Sequence, residues 1–259
     1  MVGIVGAGVT GLALAHELAR RGAEFRVFEA APEPGGVIRT IEREGRLLEL
    51  GPQRTRLTPQ LRALTRELGI EAEVVTAPPG LPLFVYRRGR LRQVPFSLRE
   101  AVLTDLVSPL GKARILLEPF RSGERPGESV ADFLVRKFGR EAYESLLGPL
   151  YGGLYASDPA TMPMRHTLSR ALENFRVEGS ILLALARRSG GREASPACSF
   201  RGGMRVLTDG LAAAHHDRVH LGTPVQAITR VGARYRLETA EGAFECDHVV
   251  LTVAADAAS

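Results

Sequence analysis

The stretch from Val2 to Glu29 restricts the fold more than any other part of the chain. Val2–Val5 is a short apolar strand that runs into Gly6-Ala-Gly-Val-Thr-Gly11, the spacing G-x-G-x-x-G. An Ala/Leu-rich run then predicts a helix from about Thr10 to Arg21, ended by Gly22. Phe25–Phe28 predicts a second strand, closed by the acid Glu29. Strand, glycine turn, helix and strand together form the βαβ unit that binds dinucleotides. Gly6 makes the tight turn, Gly8 lets a pyrophosphate approach the backbone, and Gly11 lets helix and strand pack closely. The pyrophosphate would sit on the free N–H groups at the positive end of the helix. Glu29 is placed to accept hydrogen bonds from ribose hydroxyls, and its charge argues against a 2′-phosphate there.

A second glycine loop follows. Gly35-Gly36, with Arg39 and Thr40 behind it, sits on the phosphate side of the acid. Flavoproteins of the two-dinucleotide-binding type use this pairing for the adenine nucleotide half of FAD, and a plain NAD-binding fold has no need of it. The expected cofactor therefore moves from NAD to FAD. Thr40–Leu50 alternates as a hairpin with Glu44-Gly45 at its turn. It delivers Gly51-Pro52, an extended, rigid backbone that can lie along a flat ring without side-chain obstruction. Arg54 and Arg56 come next. Thr58, Pro59 and Gly69 predict a capped helix over 58–68.

Residues 77–94 are Pro-rich and strand-like, with a hairpin turn at Arg88-Gly89. Residues 97–121 carry apolar positions at helical spacing, interrupted at Pro109-Leu-Gly111, and predict two helices. Their flanking Arg99, Lys112, Arg114 and Arg121 suit either packing within a domain or a membrane surface. Ser129 predicts a cap for a helix through Phe138, ended by Gly139 and followed by a helix to about Leu147. The paired glycines among aromatics in Gly148–Pro159 suggest close packing on a large ligand or a tight core crossing. Leu168–Arg188 predicts one helix, and Ser189–Pro196 a flexible connector. Ser199 reopens the nucleotide domain, with a helix to about His215 and strands over 219–230, 234–239 and 248–253.

The net charge is +5, mostly from scattered arginines. This fits a basic rim around an acidic ligand, and no aromatic-interleaved basic stripe points to nucleic acid. Cys198 and Cys246 lie outside metal spacing and predict free thiols in a reducing compartment. The six histidines form no metal pattern, and His215-His216 reads as a solvated helix cap. The first strand begins almost at Met1, so no leader is expected, and no apolar run reaches membrane-spanning length. A cytoplasmic location, with peripheral membrane contact as an option, follows. There is no Ser-His-Asp, Cys-His or paired-carboxylate arrangement, so no catalytic side chain and no metal ligand is nominated.

These residues resemble the FAD-dependent protoporphyrinogen and coproporphyrinogen oxidases, within the amine oxidase and phytoene desaturase superfamily. The superfamily marks are Gly6-Gly8-Gly11, Glu29, Gly35-Gly36, Gly51-Pro52, Gly202-Gly203-Met204 and Thr223-Pro224-Val225. The narrower marks are Ser129-Val-Ala-Asp-Phe with Phe138-Gly-Arg-Glu, then Pro149–Pro159, and Gly179-Ser-Ile-Leu-Leu. The resemblance implies FAD held by Gly6, Gly8, Gly11, Glu29, Gly35, Gly36 and Arg39. Gly51-Pro52 would lie near the isoalloxazine, and Val225 would present backbone to the adenine. Arg56 stands where mitochondrial-type enzymes place an arginine for a substrate propionate, which tilts the expectation towards protoporphyrinogen IX over coproporphyrinogen III.

The implied reaction is a six-electron oxidation of a porphyrinogen in haem biosynthesis, with hydride passing to FAD and electrons to dioxygen. A homodimer stays open. The implied fold class is α/β: a two-dinucleotide-binding, Rossmann-like FAD domain over 1–76 and 197–259, with an inserted α+β substrate-binding and membrane-associated domain over 77–196. Family members are much longer, so the chain is expected to be C-terminally truncated, its last FAD domain part incomplete. A flavin amine oxidase, a carotenoid desaturase and a non-catalytic FAD-binding fragment remain the alternatives.

Overall fold

In chain order, the computed structural model begins with β1 (Val2–Val5), α1 (Val9–Arg20), β2 (Phe25–Phe28), β3 (Thr40–Arg43), β4 (Arg46–Glu49), β5 (Thr55–Arg56), α2 (Pro59–Glu67) and β6 (Val74–Thr76). A second stretch holds β7 (Phe84–Arg87), β8 (Arg90–Gln93), α3 (Leu98–Leu103), α4 (Pro109–Leu116), α5 (Val130–Phe138), α6 (Arg140–Ala142), α7 (Gly148–Tyr155), α8 (Leu168–Asn174) and α9 (Ile181–Arg187). The chain returns through β9 (Ala197–Phe200), α10 (Arg205–Ala213), β10 (Val219–His220), β11 (Ala227–Val231), β12 (Arg234–Thr239), β13 (Gly242–Cys246) and β14 (His248–Leu251). The structure describes residues 1–78, 80–95, 97–121, 123–174, 179–187 and 195–258. Two compact units result, one from 1–79 with 195–259 and the other from 80–194.

The first unit is built on a parallel sheet of order β10-β2-β1-β14. β1 is central, and its neighbours come from opposite ends of the chain. This places the loop after β1 at a topological switch point, where ligands of such sheets bind. Ile4 and Val27 of the sheet pack with Leu12 and Ala15 of α1 and with Leu207 and Leu211 of α10, all at or near zero exposure. Each such aliphatic side chain contributes about 1.5–3 kcal/mol on burial. The other core cluster of this unit joins Phe28 of β2 to Leu237 of β12 and Cys246, from the antiparallel sheet β11-β12-β13. Both cysteines are unpaired and buried, and burial pushes both thiols up in pKa. A third sheet, β5-β9-β6, ties the return of the chain to its first stretch.

The second unit has a helical core around Leu106, Val130, Phe133, Leu134, Phe138 and Met164. Hydroxyl caps begin its helices: Ser97 for α3, Ser108 for α4 and Ser129 for α5. Inside it, Lys137 and Glu118 form an ion pair of 2.7 Å with neither side chain exposed.

Several local expectations change. Pro109-Leu-Gly111 opens α4 rather than breaking a helix, because proline suits the first helical position behind a serine cap. The break lies before Ser108. Gly148–Tyr155 is helical, not a crossing loop, and follows directly from a π turn over Tyr143–Leu147. Ala156, with φ 51°, ends it. The predicted strand over 219–230 is two strands in different sheets, parted at Leu221–Gln226, and β13 had no sequence reading. The predicted helix over 168–188 is two helices, α8 and α9; residues 175–178 between them and most of the expected connector, 189–194, lie outside the described residues.

Candidate nucleotide site

The loop after β1 turns at Gly6, whose φ of +106° disfavours any side chain. Helix α1 then starts from Gly8 with no side-chain cap and no acidic residue in its first turn. In contrast, Thr58 caps α2 by accepting the Leu61 N–H. A twelve-residue helix whose first N–H groups find no side-chain cap among the described residues presents donors and a positive dipole end to an anion. A Cβ on Gly8 would meet nothing within 4 Å, so this face of the loop is open.

The glycine loops are brought together. Gly35 donates its N–H to the Ala7 carbonyl at 2.8 Å, and Gly8 and Gly35 form a parallel bridge. A Cβ on Gly36 would lie 3.3 Å from Gly8 Cα. Gly51 packs against the second loop, since a Cβ there would fall inside the Val37 carbonyl oxygen and 3.0 Å from its carbon. Arg39 is exposed and accepts the Leu50 N–H through its carbonyl. Pro52 is exposed beside Gly51.

Glu29 sits at the end of β2. Its Oε2 accepts the Ala7 N–H at 2.7 Å and its Oε1 the Ala31 N–H at 2.9 Å. Each oxygen keeps a lone pair for a further donor. Gly6, Glu29 and Val225 line one cavity of about 390 Å³ together with Phe28, Pro224 and Val253. The cavity can hold a flat ring and a sugar, with carboxylate acceptors on one wall. Arg56 is not part of this lining. It lies on β5, exposed, and its guanidinium donates to the Ser195 carbonyl at 3.0 Å.

Two features had no sequence signal. Thr252, just past β14, has its hydroxyl 3.0 Å from both the Val5 and the Gly6 carbonyl oxygens, between which it shares its single proton. Glu49 accepts the Met204 N–H at 2.8 Å and the Thr40 hydroxyl at 2.7 Å, joining the hairpin to the start of α10.

His215 is not a solvated cap. Its Nε2 lies 3.1 Å from Nδ1 of His16, whose Nε2 is 3.1 Å from Glu67, and its ring meets Phe25 edge-on. His216 keeps the cap position, with Nδ1 3.3 Å from the Ala213 carbonyl. Burial, then the neighbouring His16 and Arg218, hold the His215 imidazole below its ordinary pKa. A neutral folded histidine that charges when unfolded stabilises the fold fully above about pH 6.5 and loses that contribution as pH falls below it. Urea midpoints should therefore drop between pH 7 and pH 5, and His215→Phe should flatten that slope. An unchanged slope in the variant would remove His215 as the source. Among the described residues, no group of histidine, cysteine and carboxylates could hold a metal ion.

The fold and the loop geometry are those of a dinucleotide-binding unit of α/β type. Residues 9–259 match the family of flavin containing amine oxidoreductases, and the chain belongs to it. The cofactor of the family is FAD, as the paired glycine loops led us to expect. The chain is 31% identical to the chloroplastic protoporphyrinogen oxidase of Nicotiana tabacum, over 99% of its own length and 51% of the relative. It is 27% identical to the coproporphyrinogen III oxidase of Bacillus subtilis, over 99% of its length and 60% of the relative. Among solved structures, one assigned as a protoporphyrinogen oxidase from Exiguobacterium matches with a TM-score of 0.71 and 26% identity, covering 97% of this chain and 59% of that one. The chain thus spans about half the length of the curated relatives it matches.

Proposed function

We propose that the chain serves the flavin-dependent oxidation of a porphyrinogen to the porphyrin in haem biosynthesis, with protoporphyrinogen IX favoured over coproporphyrinogen III and dioxygen as the final acceptor. The observation that carries this reading is the 31% identity to a protoporphyrinogen oxidase over 99% of the chain, which runs through the helical unit as well as the glycine loops. FAD, when bound, supplies a hydride acceptor for a ring carbon of the substrate. The chain's own residues bind and orient. The first-turn amides of α1, with Gly6, Gly8 and Gly11, receive the diphosphate. Gly35, Gly36 and Arg39 approach it from the second loop. Glu29 accepts the ribose hydroxyls, and Val225 backs the adenine. Gly51-Pro52 lies along the isoalloxazine, and Arg56 holds a substrate propionate.

The second unit is the substrate-binding domain in this reading. In this reading it also offers apolar side chains to a membrane surface: Leu110 is 82% and Phe120 87% exposed, and Arg114 between them in sequence is exposed as well. No helix among the described residues is long and apolar enough to cross a membrane.

The test is to purify the chain with FAD and record a flavin spectrum. Porphyrin fluorescence is then followed with protoporphyrinogen IX and coproporphyrinogen III, with putrescine and phytoene as competing substrates, with and without anionic phospholipid vesicles. The expected result is a yellow protein that forms porphyrin and sediments with vesicles. A colourless protein, or turnover only of the amine, would overturn the reading.

A further inference from the structure

The loop that faces the proposed diphosphate is held by two side chains from distant parts of the chain. The peptide unit between Gly6 and Ala7 is gripped at both ends. Its carbonyl lies 3.0 Å from the Thr252 hydroxyl, which shares its one proton between this oxygen and the Val5 carbonyl, and its N–H donates to Glu29 Oε2 at 2.7 Å. The next carbonyl, of Ala7, accepts from the Gly35 N–H at 2.8 Å. Both loop carbonyls are thus occupied by donors within the protein. A carbonyl released from its donor could swing its negative end towards the anion that the first turn of α1 receives, and would repel it. Thr252 is itself well anchored, since its own N–H donates to the Val5 carbonyl at 2.9 Å. Its hydroxyl also occupies the space that Gly11 leaves, as a Cβ on Gly11 would come within 2.6 Å of it.

We infer that Thr252 is a positioning residue for the dinucleotide: its hydroxyl, acting with Glu29, fixes the Gly6–Ala7 peptide in the orientation that accepts a diphosphate. This inference rests on the nucleotide-site reading proposed above. Neither the local sequence around Thr252 nor any general fingerprint assigns it that part.

Thr252→Val keeps the shape and removes the donor, whereas Thr252→Ser keeps the donor and removes a methyl group. Affinities for FAD, ADP and adenosine are measured by flavin fluorescence quenching and by competition, with near-UV circular dichroism as the check of fold. FAD and ADP should bind about tenfold or more weakly to the valine variant, the worth of one lost hydrogen bond with its acceptor left bare, and within about twofold of normal to the serine variant. Adenosine, which has no phosphate, should bind equally to all three proteins. A merely structural role would lower adenosine affinity alongside the others. Equal FAD and ADP affinity in the valine variant and the natural chain would overturn the inference while leaving the nucleotide site intact. If the valine variant does not fold, the serine variant decides: a tenfold loss there, with the hydroxyl present, overturns the inference. Failure of the natural chain to take up either nucleotide would instead sink the underlying site reading, and the inference with it.

Discussion

Lys137→Met is expected to destabilise the helical unit by about 3–5 kcal/mol, because it leaves a buried carboxylate without its partner. The Lys137 ammonium meets Glu118 Oε1 at 2.7 Å and also donates to the carbonyls of Gly179 at 2.8 Å and Arg121 at 3.1 Å. Glu118 in turn accepts the Ser180 hydroxyl and the N–H groups of Ile181 and Leu182, so it caps the start of α9. Burial pushes the Glu118 carboxyl up in pKa, but Lys137, Ser180 and the two amides outweigh it and hold it below the usual range. A depressed carboxylate contributes stability above its unfolded pKa and loses it as pH falls through the folded one. Acid should therefore loosen this unit below about pH 4.5, under the histidine window. Urea unfolding of the variant, followed by tyrosine fluorescence, checks the magnitude. A loss under about 1 kcal/mol would mean that water reaches the pair and screens it.

Gly11→Ala should abolish flavin uptake and lower stability by about 1–3 kcal/mol, the usual cost of overpacking. In an ordinary helix the same change stabilises by about 0.5–1 kcal/mol. Here the added methyl would fall inside the Gly6 carbonyl oxygen and 2.6 Å from Thr252 Oγ1, and neither is a flexible side-chain end. Gly153→Ala in α7 is the matched control, since a Cβ there meets nothing within 4 Å. Melting temperatures of the two variants should move in opposite directions, and only the first protein should be colourless. A yellow Gly11→Ala protein would show that loop and helix can part without loss of the site.

Local signals in this sequence were legible wherever one short segment carried its own physics. The βαβ unit was readable because strand, turn and helix each leave a residue pattern within thirty positions. The turns at Glu44-Gly45 and Arg88-Gly89 were readable because both adopt left-handed backbone, which glycine permits. Gly148–Tyr155 misled because glycine and proline usually break helices, whereas here Pro149 sits in the first turn, where proline is tolerated, and the helix continues directly from Tyr143–Leu147. The strand expected over 219–230 misled because the stretch serves two sheets, a parallel one at Val219–His220 and an antiparallel one at Ala227–Val231. His215 could not be placed from sequence, since what removes it from water is His16 and Phe25 in other elements. Lys137 with Glu118, and Thr252 with Gly6, escaped notice for the same reason. Each is a pairing made by the fold rather than by a motif, and no spacing announces it.

The central strand of the nucleotide sheet also sets a schedule. One of the two neighbours of β1, β14, and the Thr252 hydroxyl that closes its loop are synthesised about 246 residues after β1 itself. At roughly 5–20 residues per second, the ribosome leaves the apolar edge of β1 without that neighbour for about 10–50 seconds. During that interval the glycine loop has its helix and Glu29 but not its final clamp. The finished clamp of the proposed cofactor loop therefore waits for β14 and Thr252, and until then the nascent chain presents an unpaired strand edge that a chaperone could shield.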